Sequence, residues 1–213
     1  MEMKIVYCIR GLYNAGGMER VLSNKANYLV KRGYDISIVT TDQQGLAPYF
    51  ELDSRIVLYD LDINYYRDVE KGLLRKIGSY ALKQARHHRS LVNLLKTLQA
   101  DVVVSMFDPE VSFLYKINDG SKKILEIHFS RFKRLQYGRK GALGMLDRWR
   151  NGNDLKLAQQ YARFVVLTEE DKGYWGNLSN LVVIPNANSF IPSGQASLVN
   201  KRAIAVGRYD YQK

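Results

Sequence analysis

The turn Arg10-Gly11-Leu12-Tyr13-Asn14-Ala15-Gly16-Gly17-Met18-Glu19-Arg20 is where this sequence first offers chemistry. It follows an apolar run at 4–9 that reads as a strand. It precedes Met18, Val21, Leu22, Ala26, Leu29 and Val30 at helical spacing. Glycines at 16 and 17 let backbone come close to a ligand, and a helix opening there points its free N–H groups and positive dipole end at the same spot. A phosphate suits that environment. Two phosphate-binding patterns are absent. G-x-G-x-x-G fails because Gly11 is followed by a glycine only at 16, and the phosphate loop fails because Gly17 and Met18 stand where Lys and Ser or Thr are required. A tight turn that needs glycine for its own geometry explains the same residues equally well.

The other end of the chain, Val206-Gly207-Arg208-Tyr209-Asp210-Tyr211-Gln212-Lys213, places two cations just after a strand-like run. Arg208 as a planar fork and Lys213 as a point charge could clamp a diphosphate, although an Arg and a Lys at this spacing are usually solvated. His128 ends the strand-like Glu126-Ile127-His128-Phe129 and is either a reacting group or a structural histidine. His87 and His88 are adjacent on a helical stretch and do not share a face, so a metal pair is not expected and solvation is. No C-x-x-C, H-E-x-x-H or carboxylate cluster with ligand spacing occurs, and no metal or cofactor is expected.

The elements that must position these residues alternate. Strands are expected at 4–9, 34–40, 56–61, 102–106, 123–128, 164–167 and 181–184. Helices are expected from 18 to 30 with Gly33 as the stop, over 67–98 with a break near Gly72 or Gly78, at 110–117, at 143–150, at 154–161, and after Thr168-Glu169-Glu170-Asp171, an N-cap followed by three acids. This pattern predicts an α/β fold, a Rossmann-like doubly wound parallel sheet. Residues 1–188 form the domain, 189–201 a linker with Pro192 and Gly194, and 202–213 the first strand and turn of another unit. That last strand has nothing to cover it, so the sequence reads as truncated.

Composition narrows the class. With 46% apolar and 25% charged residues and four prolines, the 213-residue chain is globular rather than disordered. One cysteine, Cys8, lies in an apolar run and reads as a buried small hydrophobe of a protein in a reducing cytosol. No apolar run is long enough to span a bilayer. The net charge of +11 is concentrated. Residues 67–99 hold eight basic and two acidic groups and 131–150 seven against one, while the remainder carries seventeen against eighteen. A solvated face, nucleic acid and an anionic membrane or lipid-diphosphate acceptor all fit two such patches, with Tyr80, Phe132 and Tyr137 interleaved. No RRM, KH, OB or helix-turn-helix pattern accompanies them, and no nucleic acid is expected.

Four segments in order, Gly16-Gly17-Met18-Glu19-Arg20, Val166-Leu167-Thr168-Glu169-Glu170-Asp171, Val183-Ile184-Pro185-Asn186 and Ala205-Val206-Gly207-Arg208 with Lys213, resemble glycosyltransferase family 4. These are retaining nucleotide-sugar transferases of GT-B architecture, with two Rossmann-like domains facing across a cleft. The resemblance implies that this chain is the N-terminal, acceptor-side domain with the start of the donor-binding one. It implies that Gly16, Gly17, Arg208 and Lys213 meet the donor diphosphate and that Asn14, Phe107 and Asp108 lie on the acceptor side. His128 would face the reacting sugar.

The implied partners are a nucleotide-sugar donor and a glycan or lipid-linked acceptor in cell-surface polysaccharide or glycolipid synthesis. The implied place is the cytoplasm, with peripheral contact to an anionic membrane through 67–99 and 131–150. The family's paired-glutamate motif would lie beyond Lys213, so residues 1–213 alone are expected to be inactive. The rival readings are a non-catalytic Rossmann-like module for nucleotide or nucleic acid, and a nucleotide-sugar epimerase of GT-B shape.

Overall fold

A computed structural model describes residues 2–65, 73–133, 135, 138, 140–187 and 199. Seven strands, β1 (Lys4–Ile9), β2 (Asp35–Thr40), β3 (Val57–Asp60), β4 (Val102–Ser105), β5 (Lys122–Glu126), β6 (Arg163–Val166) and β7 (Leu181–Val183), form one sheet. Its order is β3-β2-β1-β4-β5-β6-β7, and every neighbouring pair is parallel. The order reverses between β1 and β4, where Val6 is flanked by Ser37 on one side and Val103 on the other. The loops leaving β1 and β4 diverge to opposite halves of the sheet and leave a crevice between them.

Parallel strands need crossover helices on both faces, which is why β1 and β2 are buried at every position after the first. Helix α1 (Gly17–Lys31) covers one face with Leu22, Ala26 and Val30 against Ile5, Tyr7, Ile36, Ile38 and Val104. The other face packs Val6, Val103, Leu125, Phe164 and Val166 against Leu91 and Leu95 of α2 (Leu73–Leu98), Ala158 of α3 (Gly141–Ala158) and Trp175 of α4 (Glu169–Trp175). Each fully buried leucine there contributes about 2 kcal/mol.

The strands agree with the sequence reading to within two residues at each end. Gly33 closes α1 at φ +84°, a conformation that disfavours side chains. Thr168 caps α4, its hydroxyl accepting the Asp171 N–H at 3.0 Å. Three expectations are corrected. The segment 110–117 is two 3-10 turns, Pro109–Ser112 and Leu114–Lys116, because Pro109 starts a tight turn whose groups are satisfied by i+3 bonds. The helices expected at 143–150 and 154–161 are one helix, α3, which keeps Gly152 in its interior. His87 is not solvated: it is 1% exposed, with Nδ1 3.0 Å from the Tyr65 hydroxyl and its ring edge-on to Phe113.

Helix α2 runs unbroken through Gly78, and Gly72 lies outside the described residues. So do the expected linker, apart from Val199, and the whole of 202–213. Cys8 is a buried free thiol. No described helix is long and apolar enough to cross a membrane.

Candidate functional site

The crevice at the strand-order reversal has a volume of about 360 Å³. Its walls come from three loops: Arg10, Gly11, Tyr13 and Asn14 after β1, Met106 to Asp108 after β4, and Phe129 with Lys133 after β5. Met18 and Glu19 of α1 close one side. Each wall is the carboxyl end of a strand, so the crevice follows from the topology alone.

Arg10 ties these loops together. Its N–H donates to Asp108 Oδ2 at 2.7 Å, and its carbonyl accepts the N–H groups of Thr41 at 3.0 Å and Asp42 at 2.8 Å. Its guanidinium lies 3.6 Å from Asp108 Oδ1. Burial pushes the Asp108 carboxyl up, opposed by Arg10, and burial does the same to Asp42. Gln43 extends the network by accepting the Leu12 N–H at 2.9 Å and donating to the Leu46 carbonyl at 2.8 Å. The result is a polar loop set in which backbone groups are held by one another and by the Asp108 and Gln43 side chains.

Phe107 has φ +65°, rare for a bulky residue, and is 8% exposed. Its ring meets Phe129 edge-to-face at 5.3 Å, and Lys133 stands 4.5 Å over the Phe129 ring. Backbone strain of this kind persists only where the surroundings hold it, and it collects at ligand sites. The crevice therefore pairs an aromatic wall with two cations, Arg10 and Lys133. The same lining carries two carboxylates, Asp108 and Glu19.

At the start of α1, Gly16 is the N-cap with extended backbone and no side-chain cap, and nothing lies within 4 Å of where a Gly17 side chain would begin. The Glu19 carboxylate folds back against Gly16. A negative group already neighbours the positive end of α1, as in half of a capping box. An anion approaching Gly16 must displace that carboxylate.

His128 does not line the crevice. Its side chain is 4% exposed, and its Nε2 is 2.8 Å from Glu126 Oε1, the oxygen that also pairs with Lys25 of α1. Burial would raise the Glu126 carboxyl, but His128 and Lys25 hold it below the usual carboxylate range. Lys25 also borders a second groove of about 430 Å³, between α1 residues Val21, Asn24 and Tyr28 and the segment Ile184, Pro185, Asn186 and Ala187.

Beneath the β4 loop, Glu110 is 1% exposed and shares a 2.6 Å hydrogen bond with Ser105. Burial, reinforced by Asp108, pushes its pKa up to about 8. Among the described residues no group of three or more His, Cys, Asp or Glu is arranged to hold a metal ion.

The structure thus brings Asn14, Phe107 and Asp108 to one crevice and places Gly16 and Gly17 at its α1 edge. His128 stands apart on a buried ion-pair cluster, and Arg208 and Lys213 lie outside the described residues. Sequence reasoning missed Arg10, Lys133, Glu19, Phe129 and Glu126 as site residues. Arg10 had a visible signal as the first residue after a buried strand. The role of Lys133 could not be read, because only the fold brings the β5 loop back over the β4 loop.

Comparison with known proteins supplies the class. Residues 15–187 match the model of Glycosyltransferase Family 4. Over 210 residues the chain is 30% identical to an uncharacterized glycosyltransferase of Haemophilus influenzae, covering 96% of this chain and 53% of that one. The chain thus spans about half the length of this relative. Among solved structures, a sucrose-phosphate synthase from Thermosynechococcus elongatus superposes with a TM-score of 0.65 at 10% identity, over 86% of this chain and 48% of that one. A Phytolacca americana UGT2 complexed with UDP-2fluoro-glucose and pterostilbene gives 0.58 at 14%, over 88% and 55%. The lipopolysaccharide outer core galactosyltransferase WaaB gives 0.55 at 15%, over 88% and 46%. At such identities the superpositions speak for the fold. With its seven-stranded parallel sheet and its match over most of its length, the chain belongs to glycosyltransferase family 4 and has the fold of a GT-B N-terminal domain.

Proposed function

We propose that this chain is the acceptor-side part of an enzyme that moves a sugar, with retention, from a nucleotide-sugar donor to a glycan or lipid-linked acceptor in cell-surface polysaccharide or glycolipid synthesis. The observation that carries the reading is the crevice at the strand reversal, where Phe107 and Phe129 form an aromatic wall beside Arg10 and Lys133. An acceptor sugar can stack on the rings while a phosphate or carboxylate on the same acceptor meets the cations. A lipid diphosphate has that combination.

In this reading the donor enters from the opposite side of the cleft. Its diphosphate is met by Gly16 and Gly17 at the opening of α1 and by Arg208 and Lys213, whose cations stabilise the leaving group as charge develops on it. His128 meets the transferred sugar in this reading by turning its imidazole away from Glu126, since in the structure its side chain is 4% exposed and bonded to that carboxylate. No metal is needed in this reading, because permanently charged side chains and a helix N-terminus carry the diphosphate charge. The basic segments 67–99 and 131–150 hold the domain against an anionic membrane on its cytoplasmic side. The chain spans about half of the relative it matches, and the activity proposed is that of the intact protein.

The test is transfer from a panel of nucleotide sugars by the intact protein, with product anomeric configuration read by NMR. Retention is expected, and Arg208→Ala or Lys213→Ala should lower kcat by about 10²- to 10³-fold. Folded protein that transfers from no donor, or activity indifferent to both substitutions, would end the proposal.

A further inference from the structure

Helix α3 buries polar residues and exposes apolar ones through its first three turns. Asp147 at 3% exposure, Asn151 at 8% and Asp154 at 7% lie on its buried side, followed by Ala158 in the core. The large apolar residues it exposes are Met145 at 66%, Trp149 at 67% and Leu146 at 38%. Met145 and Trp149 are one turn apart, and Leu146 is three before Trp149, so the three form a single ridge opposite the buried polar face. A helix of an ordinary soluble domain has the reverse pattern.

The charges beside the ridge are all of one sign. Arg148 and Arg150 precede and follow Trp149, which puts one on each flank, and both are exposed. The one acid in 131–150 is Asp147, and it is buried. A second copy of the chain would bring like-charged arginines against each other, in a molecule already at +11. An anionic bilayer avoids that conflict: the apolar ridge enters the boundary between headgroups and acyl chains while the arginines meet lipid phosphates. A tryptophan is well suited to that boundary.

Position adds to the case. As the crossover from β5 to β6, α3 starts at the carboxyl edge of the sheet, and its ridge lies in the first half of the helix. The crevice opens at that same edge. We propose that Met145, Leu146 and Trp149, flanked by Arg148 and Arg150, are a membrane-insertion ridge that docks the acceptor crevice on an anionic bilayer. The inference rests on the reading of a membrane-borne acceptor and goes beyond basic patches by naming an inserting element.

Trp175 is 2% exposed in the core, so a fluorescence change on adding vesicles that Trp149→Phe abolishes reports Trp149. The intact protein should show a blue shift and protection from acrylamide with vesicles of phosphatidylcholine and phosphatidylglycerol, but not with phosphatidylcholine alone. In co-sedimentation, Met145→Ser/Leu146→Ser should lower partitioning about tenfold or more with the salt dependence kept. Arg148→Gln/Arg150→Gln should lower it about twentyfold at low salt and flatten the salt dependence. Far-ultraviolet circular dichroism confirms the fold of each variant.

An unmoved Trp149 signal, or equal partitioning of wild type and the Met145/Leu146 variant, overturns the ridge. So does lipid-independent self-association that the same variant abolishes, which would make the ridge a protein interface. Transfer to a water-soluble acceptor is measured in parallel. Its loss would strike the proposed activity, while its survival beside absent vesicle binding would strike only the ridge.

Discussion

Asp108 accepts the backbone N–H of Arg10 at 2.7 Å and faces its guanidinium at 3.6 Å, so the loops after the two central strands are joined where the sheet reverses. Removing the carboxylate leaves a part-buried donor without its acceptor. Asp108→Ala should cost about 1–3 kcal/mol in urea unfolding, and Asp108→Asn less, because an amide oxygen can still accept. Equal losses for the two would show that charge, not the hydrogen bond, fastens the loops.

Glu110 makes stability fall as pH rises from the acid range to about 8. Burial raises its pKa from an ordinary 4.5 to about 8, so between those values the folded chain holds a proton that the unfolded chain has released. Stability should therefore fall as pH rises through this window, by about 1.4 kcal/mol per pH unit from this group. Glu110→Gln keeps a partner for Ser105 and should remove that slope, which urea midpoints from pH 5 to 9 would measure. An unchanged slope would assign the proton elsewhere.

His87 acts in the opposite direction. Burial, with a smaller effect from His88, lowers its pKa from 6.5 to about 4. Over that interval the unfolded chain binds the extra proton, so stability is lost as pH falls, by up to about 3 kcal/mol. His87→Gln should be less stable at neutral pH yet flatter between these values. Thermal melts of both proteins across the acid range decide it.

Phe107 separates strain from contact. Phe107→Ala loses the ring but keeps a side chain at φ +65°, whereas Phe107→Gly also relieves the backbone. The glycine variant should be the more stable of the two by about 1 kcal/mol. Both should raise the acceptor KM, since both remove the ring that meets Phe129. An acceptor KM unaffected by either would take the aromatic wall out of the binding site.

His128 is testable through its neighbour. In the intact protein His128→Ala should lower kcat by about 10²-fold. Glu126→Gln, which frees the ring but leaves it in place, should fall between that and wild type. Full activity in the alanine variant would leave His128 a structural partner of the Lys25–Glu126 pair.

The layout of the fold was legible because each strand is a short apolar run set between turn residues, and burial on both faces demands such runs. The crevice was legible in outline: Asn14, Phe107 and Asp108 lie just past predicted strand ends, and strand ends meet ligands in this topology. What was hidden depended on contacts across the sheet. His87 looked solvated because its neighbours are basic, yet Tyr65 and Phe113 come from distant elements to enclose it. Helix α3 was expected as two shorter helices because polar residues occupy much of its buried side and apolar ones face outward, a pattern that apolar periodicity does not register.

Among the described residues, the cations of segment 131–150 fall into three kinds. Arg131 lies 5.6 Å from the centre of Phe132 and 5.3 Å from that of Trp175, and donates to the Tyr174 carbonyl, which makes it a clasp between the β5 loop and α4. Lys133 belongs to the crevice, and Arg148 and Arg150 to the outer surface. Neutralising the whole segment at once would loosen a helix, empty a binding wall and discharge a surface in a single experiment. The positive charges here are legible only one residue at a time.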